Sequence, residues 1–198
     1  MVAGHFGLAA GVKSWAPSAP LWALMTATQW LDIFFVPLFL LGIETIDPVD
    51  PAHPNAYGAS VIHANYTHSL VGALLLSALA GLLAWAWWGR RVGVVIGAVA
   101  FSHWLLDLVV HRGDLPILPG NAGNLPLLGF GLWRLPTVAA FVELLLVLVG
   151  AYLYHRSATR LPTPATEDGG EQRRRVVTAS AVVSGLMLLS LVTSVLGV

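Results

Sequence analysis

The chain has 198 residues, of which 57% are hydrophobic and 10% charged, with ten Lys and Arg matched by ten Asp and Glu. That is too apolar for a water-soluble globule and too short for more than one membrane domain, and the basic residues form no stripe or groove, so no nucleic-acid partner is expected. The absence of cysteine excludes disulfides, thiolate metal sites and a Cys nucleophile, leaving imidazole and carboxylate as the strong ligand types.

Residues 2–12 are apolar but too short to cross about 30 Å of hydrocarbon, so a half-membrane or re-entrant helix ending at Lys13 is expected. No basic stretch followed by a cleavage motif marks a removable signal peptide. Pro17 and Pro20 introduce a helix from Leu21 to Ile43, long enough to span, with Asp32 near its centre. Glu44 to Tyr66 carries Asp47, Asp50, His53, His63 and several prolines, and reads as an acidic outer loop. Thr67 to Trp88 is a second span, closed by Trp85, Trp87 and Trp88 beside the basic anchors Arg90 and Arg91. A third runs from Val92 to His111. Residues 112–134, rich in Gly and Pro, form an irregular outer loop or lid. Leu135 to Tyr154 is a fourth span bearing Glu143, and Val176 to Val198 a fifth.

The expected fold is therefore an all-α polytopic membrane helix bundle of about five spanning helices plus an N-terminal half-membrane helix. Residues 1–155 make the bundle, 156–175 a cytoplasmic linker and 176–198 a C-terminal transmembrane helix. Arg90, Arg91, Arg156, Arg160 and Arg173 to Arg175 fall in two loops on one side, which the positive-inside rule makes cytoplasmic. The N-terminus is expected on that side; the 44–66 and 112–134 loops and the C-terminus face outward.

Ionisable groups inside such spans are costly, so they point to a site or a polar bundle interior. His103, Asp107 and His111 recur at i, i+4 and i+8 and share one helix face. By the helical rise, Asp32, His103 and His5 fall near mid-membrane, with Asp107, His111 and His68 nearer the outer face. The candidate metal ligands are His5, Asp32, His68, His103 and Asp107, with His63, His111 and Glu143 as further candidates.

These residues carry a resemblance. Gly4-His5, Asp32, His63-Ala-Asn-Tyr-Thr-His68-Ser69 and Ser102-His103-Trp-Leu-Leu-Asp107, followed by Pro116, resemble the LexA-regulated family of bacterial inner-membrane metal-dependent hydrolases over residues 1–120. The family's Pro-Asp-x-Asp-His is here Gln29-Trp-Leu-Asp32-Ile, and its His-Arg-Gly before Thr-His-Ser is His63-Ala64-Asn65, so one carboxylate and one Arg are missing. The ligand order is also similar, more loosely, to zinc-dependent phospholipase C, which implies Asp107 as a carboxylate shared between metals.

The resemblance implies a bacterial cytoplasmic-membrane enzyme binding Zn²⁺ or another divalent transition metal, with Asp107 and His103 at the reacting centre. A metal-activated water would attack a phosphoester or ester of a lipid-like substrate. Arg112 and Arg134, by their place at the outer mouth rather than by the resemblance, are the candidates to hold its phosphate. Two other classes compete: an ion or proton transporter using the same Asp and His groups, and a non-catalytic membrane scaffold.

Overall fold

The computed structural model describes residues 1–160 and 169–197, and they are mostly helical. The elements in chain order are α1 (Val2–Lys13), α2 (Leu21–Thr28), α3 (Trp30–Leu40), β1 (Thr45–Pro48), β2 (Ser60–His63), α4 (Leu70–Trp88), α5 (Arg90–Val110), α6 (Pro136–Arg160) and α7 (Gly169–Leu196). Four of the helices, α4 to α7, are long and apolar enough to cross a membrane, and α2 with α3 makes a fifth if that bent pair counts as one span. Much of their surface is apolar and outward-facing, as lipid contact requires and water does not tolerate.

Three segments depart from the expectations. The helix expected over Leu21–Ile43 is broken at Gln29 and bent by 47°. The acidic 44–66 segment contains an antiparallel hairpin, with Thr45 opposite His63 and Asp47 opposite Val61. The expected linker is also narrower, because α6 continues to Arg160 and α7 starts at Gly169; its remainder, 161–168, lies outside the described residues.

Packing follows from small residues. A Cβ at Gly150 of α6 would sit 1.9 Å from the Gly7 carbonyl of α1, and one at Gly7 would sit 2.6 Å from the Leu146 carbonyl, so these two helices touch backbone to backbone. The turn between α4 and α5 is a single residue, Gly89, at φ 82°, a conformation that side chains disfavour. Beyond it Gly81, Gly93 and Gly97 let the two helices run in close contact. Alanines, with Leu24, Val92, Ile96 and Val99, fill the core between α1, α2, α4 and α5.

Met1 packs with Tyr57, Ile62 and Trp133, so the first residue lies at the end of the bundle that carries the hairpin and the 112–134 loop. This corrects the expected placement of the N-terminus on the opposite side from those loops: α1 enters from the loop end and finishes at Lys13, whose Nζ donates to the carbonyls of Pro17 and Ala19. Gly197, just past α7, lies at the loop end too, against Asn55. The 112–134 loop is pinned by backbone bonds from Leu70 to Pro116, Val71 to Ile117, Gly131 to His111 and between Leu115 and Leu128.

Candidate metal centre

Helix α5 supplies the frame. His103 and Asp107, one turn apart on its inner face, meet with Nε2 3.0 Å from Oδ2. From α1, His5 lays its ring flat on that of His103, centroids 4.0 Å apart, and brings Nε2 to 3.2 Å from Asp107 Oδ1. His68, just before α4, sets Nε2 3.2 Å from His103 Nε2 and 3.6 Å from Asp107 Oδ2. Asp32, in the first turn of α3, reaches His68 Nε2 at 3.4 Å and His103 Nε2 at 3.6 Å. The ligand-type atoms form two groups that share His103: His5, His103 and Asp107, and Asp32, His68 and His103. All are buried except Asp32, which is half-buried.

The break at Gln29 has two consequences for this site. It places Asp32 at a helix N-terminus, where the unpaired N–H groups favour a carboxylate. It also ends α2 at Thr28, whose carbonyl, one of those a helix end leaves without an intrahelical partner, accepts from His103 Nδ1 at 2.5 Å.

His103 is one of three imidazoles held this way. His111 Nδ1 donates to Asp114 Oδ1 at 2.8 Å, and His68 Nδ1 lies 2.9 Å from the Thr67 hydroxyl, which donates to Glu44 Oε2 at 2.9 Å. A carbonyl and a carboxylate carry no proton, so Nδ1 of His103 and of His111 must be the protonated nitrogen. In the neutral rings Nε2 is then a bare lone pair. His111 Nε2 lies 3.8 Å from Asp107 Oδ2, the outermost of the imidazoles around that carboxylate. An acceptor on the second nitrogen of each histidine is the arrangement in which imidazole binds metals.

The residues therefore fit a divalent ion. The Nε2 atoms of His68 and His103 stand 3.2 Å apart, a separation that needs a proton or a cation between them, and tetrahedral ligands about 2.0–2.1 Å from zinc stand about 3.3 Å apart. The donor set, imidazole and carboxylate without sulfur, suits zinc and its first-row neighbours.

The other sequence candidates lie elsewhere. His63 sits on β2, half-exposed, with Nε2 3.2 Å from Asp47, and does not join the cluster. Glu143, fully buried, accepts from the Gly4 amide at 3.0 Å and from the Tyr57 hydroxyl, so it anchors the first turn of α1 just ahead of His5. Burial, with this carboxylate beside it, pushes the Tyr57 phenol well above its ordinary value, so Tyr57 remains a donor. Arg112 is not free for a phosphate: its guanidinium donates to the carbonyls of Gly58 and Trp133, and neither it nor Arg134, which donates to the Arg112 carbonyl, lines the cavity over the cluster.

That cavity, about 340 Å³, has His5, Asp32, His68, His103, Asp107 and His111 at its polar base and Phe35, Val36, Ile46 and Ile62 at its apolar lip. Sequence reasoning missed the orienting residues Thr28, Thr67, Glu44 and Asp114. The only local signals were adjacency, as of Thr67 to His68, and the three-residue step from His111 to Asp114. Comparison with protein-family models, with curated proteins and with solved structures gives no match.

Proposed function

We propose that the chain is an integral membrane hydrolase that uses zinc or a similar divalent ion against a phosphoester or ester of a lipid-like substrate. The observation that carries this is the set of imidazoles whose Nδ1 atoms are held by oxygen partners while their Nε2 atoms converge on Asp107 and Asp32 at the base of an open cavity. His68, His103, Asp107 and Asp32 would hold the ion, with His5 completing the site or serving a second one. A divalent ion, when bound, supplies Lewis acidity that makes water nucleophilic near neutral pH and stabilises developing charge on the ester.

The chain's own residues set what can react. The apolar lip, with Val36 and Ile46 exposed, suits an acyl or isoprenoid chain lying beside a head group held over the carboxylates. The resemblance to the LexA-regulated inner-membrane family fits this reading, as do the four or five helices long and apolar enough to cross a membrane. The transporter reading needs a polar route onward from the cluster. Beyond His103, the hydrophobic cluster between α1, α2, α4 and α5 is interrupted by the buried side chains of Thr28 and Ser77, neither of them ionisable, which favours the enzyme.

The test is to measure metal content in gentle detergent and then to offer phospholipids and isoprenoid phosphates with zinc to the wild type and to Asp107→Asn. Turnover lost in the variant is expected. Metal-free protein that takes up no zinc, or a metal flux in proteoliposomes without any hydrolysis, would remove the proposal.

A further inference from the structure

We infer that Glu44 is a positioning residue that fixes the tautomer of His68 through the Thr67 hydroxyl, so that Nε2 is the basic nitrogen presented to the cluster. The inference rests on the metal-centre reading and adds to it a residue outside both ligand groups.

Glu44 was expected at the start of an acidic outer loop, yet it is fully buried. Its Oε1 accepts from the amides of Tyr66 at 2.7 Å and Thr67 at 2.9 Å, and its Oε2 accepts from Thr67 Oγ1 at 2.9 Å. Three donors directed at one side chain are what an ionised carboxylate takes. Thr67 has a single hydroxyl proton and two acceptor-type neighbours, Glu44 Oε2 and His68 Nδ1, each 2.9 Å away. An ionised carboxylate oxygen has no proton to give, so the bond to Glu44 exists only if Thr67 donates it. Thr67 Oγ1 is then left as an acceptor, His68 Nδ1 must supply the other proton, and Nε2 keeps its lone pair.

This relay differs from the other two in that it can be reversed. The partners of His103 and His111 are a carbonyl and a carboxylate, which can only accept. A hydroxyl can turn round, and Glu44 is what prevents it. Glu44→Gln is nearly isosteric, and its amide can be placed in two ways. With the amide oxygen at the Oε1 position both backbone bonds survive, and the NH₂ group donates to Thr67 Oγ1. The opposite placement sets an NH₂ against two N–H donors and loses two bonds to keep one, so the first wins. Thr67 must then donate to His68 Nδ1, and the proton of His68 moves to Nε2, where it blocks the ligand position.

The experiment compares wild type, Glu44→Gln, Thr67→Val and the double variant, each checked for monodisperse folding in detergent. Zinc affinity is measured in all four, and nitrogen-15 NMR of histidine-labelled, metal-free protein reports the His68 tautomer. Glu44→Gln is expected to shift His68 to the Nε2-protonated form and to weaken zinc binding by about 10- to 100-fold, as loss of an orienting partner does. Without the Thr67 hydroxyl the amide has nothing to reverse, so the double variant is expected to bind zinc no worse than Thr67→Val alone. Equal losses from Glu44→Gln in both backgrounds, or an unchanged His68 tautomer, would make Glu44 a purely structural anchor and overturn the inference. A wild type that binds no zinc but shows the tautomer shift in Glu44→Gln would sink the metal reading while leaving the relay standing.

Discussion

Asp107→Asn is the sharpest perturbation of the cluster. Asp107 offers Oδ1 to His5 at 3.2 Å and Oδ2 to His103, His68 and His111 at 3.0, 3.6 and 3.8 Å, so a single carboxylate serves every imidazole in the site. Asparagine keeps the shape but loses the charge and turns one oxygen into a donor. Zinc at 100 times its Kd adds about 2.7 kcal/mol to wild-type stability, which for a chain of this size is a rise in Tm of about 5–10 °C. A 100-fold loss of affinity leaves zinc near its new Kd, where the stabilisation is only about 0.4 kcal/mol and the rise about 1 °C. His111→Ala removes the outermost imidazole and should keep more than half of the wild-type rise. The assay is thermal unfolding in detergent with and without zinc, read beside elemental analysis. The same zinc-dependent rise in Asp107→Asn as in His111→Ala would refute the placement of the ion around Asp107.

Further tests address packing, orientation and pH. Gly150→Ala drives a Cβ into the Gly7 carbonyl and should cost about 1–3 kcal/mol, whereas Gly185→Ala in α7, with nothing within 4 Å, should leave stability unchanged or raise it by up to about 1 kcal/mol; thermal unfolding of both variants checks the contrast. Because the chain has no cysteine, Asn55→Cys and Arg91→Cys can be labelled singly, and an impermeant thiol reagent on intact cells should reach the first and not the second, the reverse inverting the proposed orientation. Burial alone would raise the Asp114 carboxyl, but the bonds from His111 and the Ile62 amide outweigh it and hold the group below the ordinary carboxylate range. A depressed carboxyl contributes stability that is present above its unfolded pKa of about 4 and is lost as pH falls through the lower folded value, so Asp114→Asn should flatten the acid limb of the stability profile below pH about 4. An unchanged acid limb would show that the His111 pairing contributes nothing.

The helical class and the apolar spans were legible because hydrophobic length is a direct consequence of bilayer thickness, and it survives without any knowledge of packing. Where α2 gives way to α3 is different. Residues 21–43 are apolar on both sides of Gln29, and no glycine or proline stands at that point, so nothing local distinguishes a 47° bend from a continuous span. The interior Pro37, which does look like a breaker, lies within α3. The hairpin was hidden for a similar reason: its strands are four residues each and rich in polar groups, and their pairing depends on partners fifteen or so positions apart in the chain.

The site divides along the same physical line. His103, Asp107 and His68 stand out because ionised or ligand-type groups in or beside apolar spans are expensive, so burial cost alone flags them. Their orienting partners carry no such flag. Thr28 contributes a backbone carbonyl, which every residue has, and only the helix end frees it. Glu44 and Asp114 sit in stretches whose polarity reads as solvated loop, and they become buried because the loop end of the bundle folds over the cluster. His63 errs in the opposite direction: it has the right residue type five positions before His68, but β2 turns it outward to Asp47. Arg112 likewise has the chemistry for a phosphate and the wrong neighbours, since its donors already hold the Gly58 and Trp133 carbonyls. A head group seated over Asp32 and Asp107 would therefore meet imidazole and carboxylate before it met any arginine. Apart from the Met1 amino group, which shares the cavity lining, neutralisation of an anionic ester there would rest on the ion, so metal-free protein should bind phosphate more weakly than zinc-loaded protein in a calorimetric titration, and equal affinity would refute this.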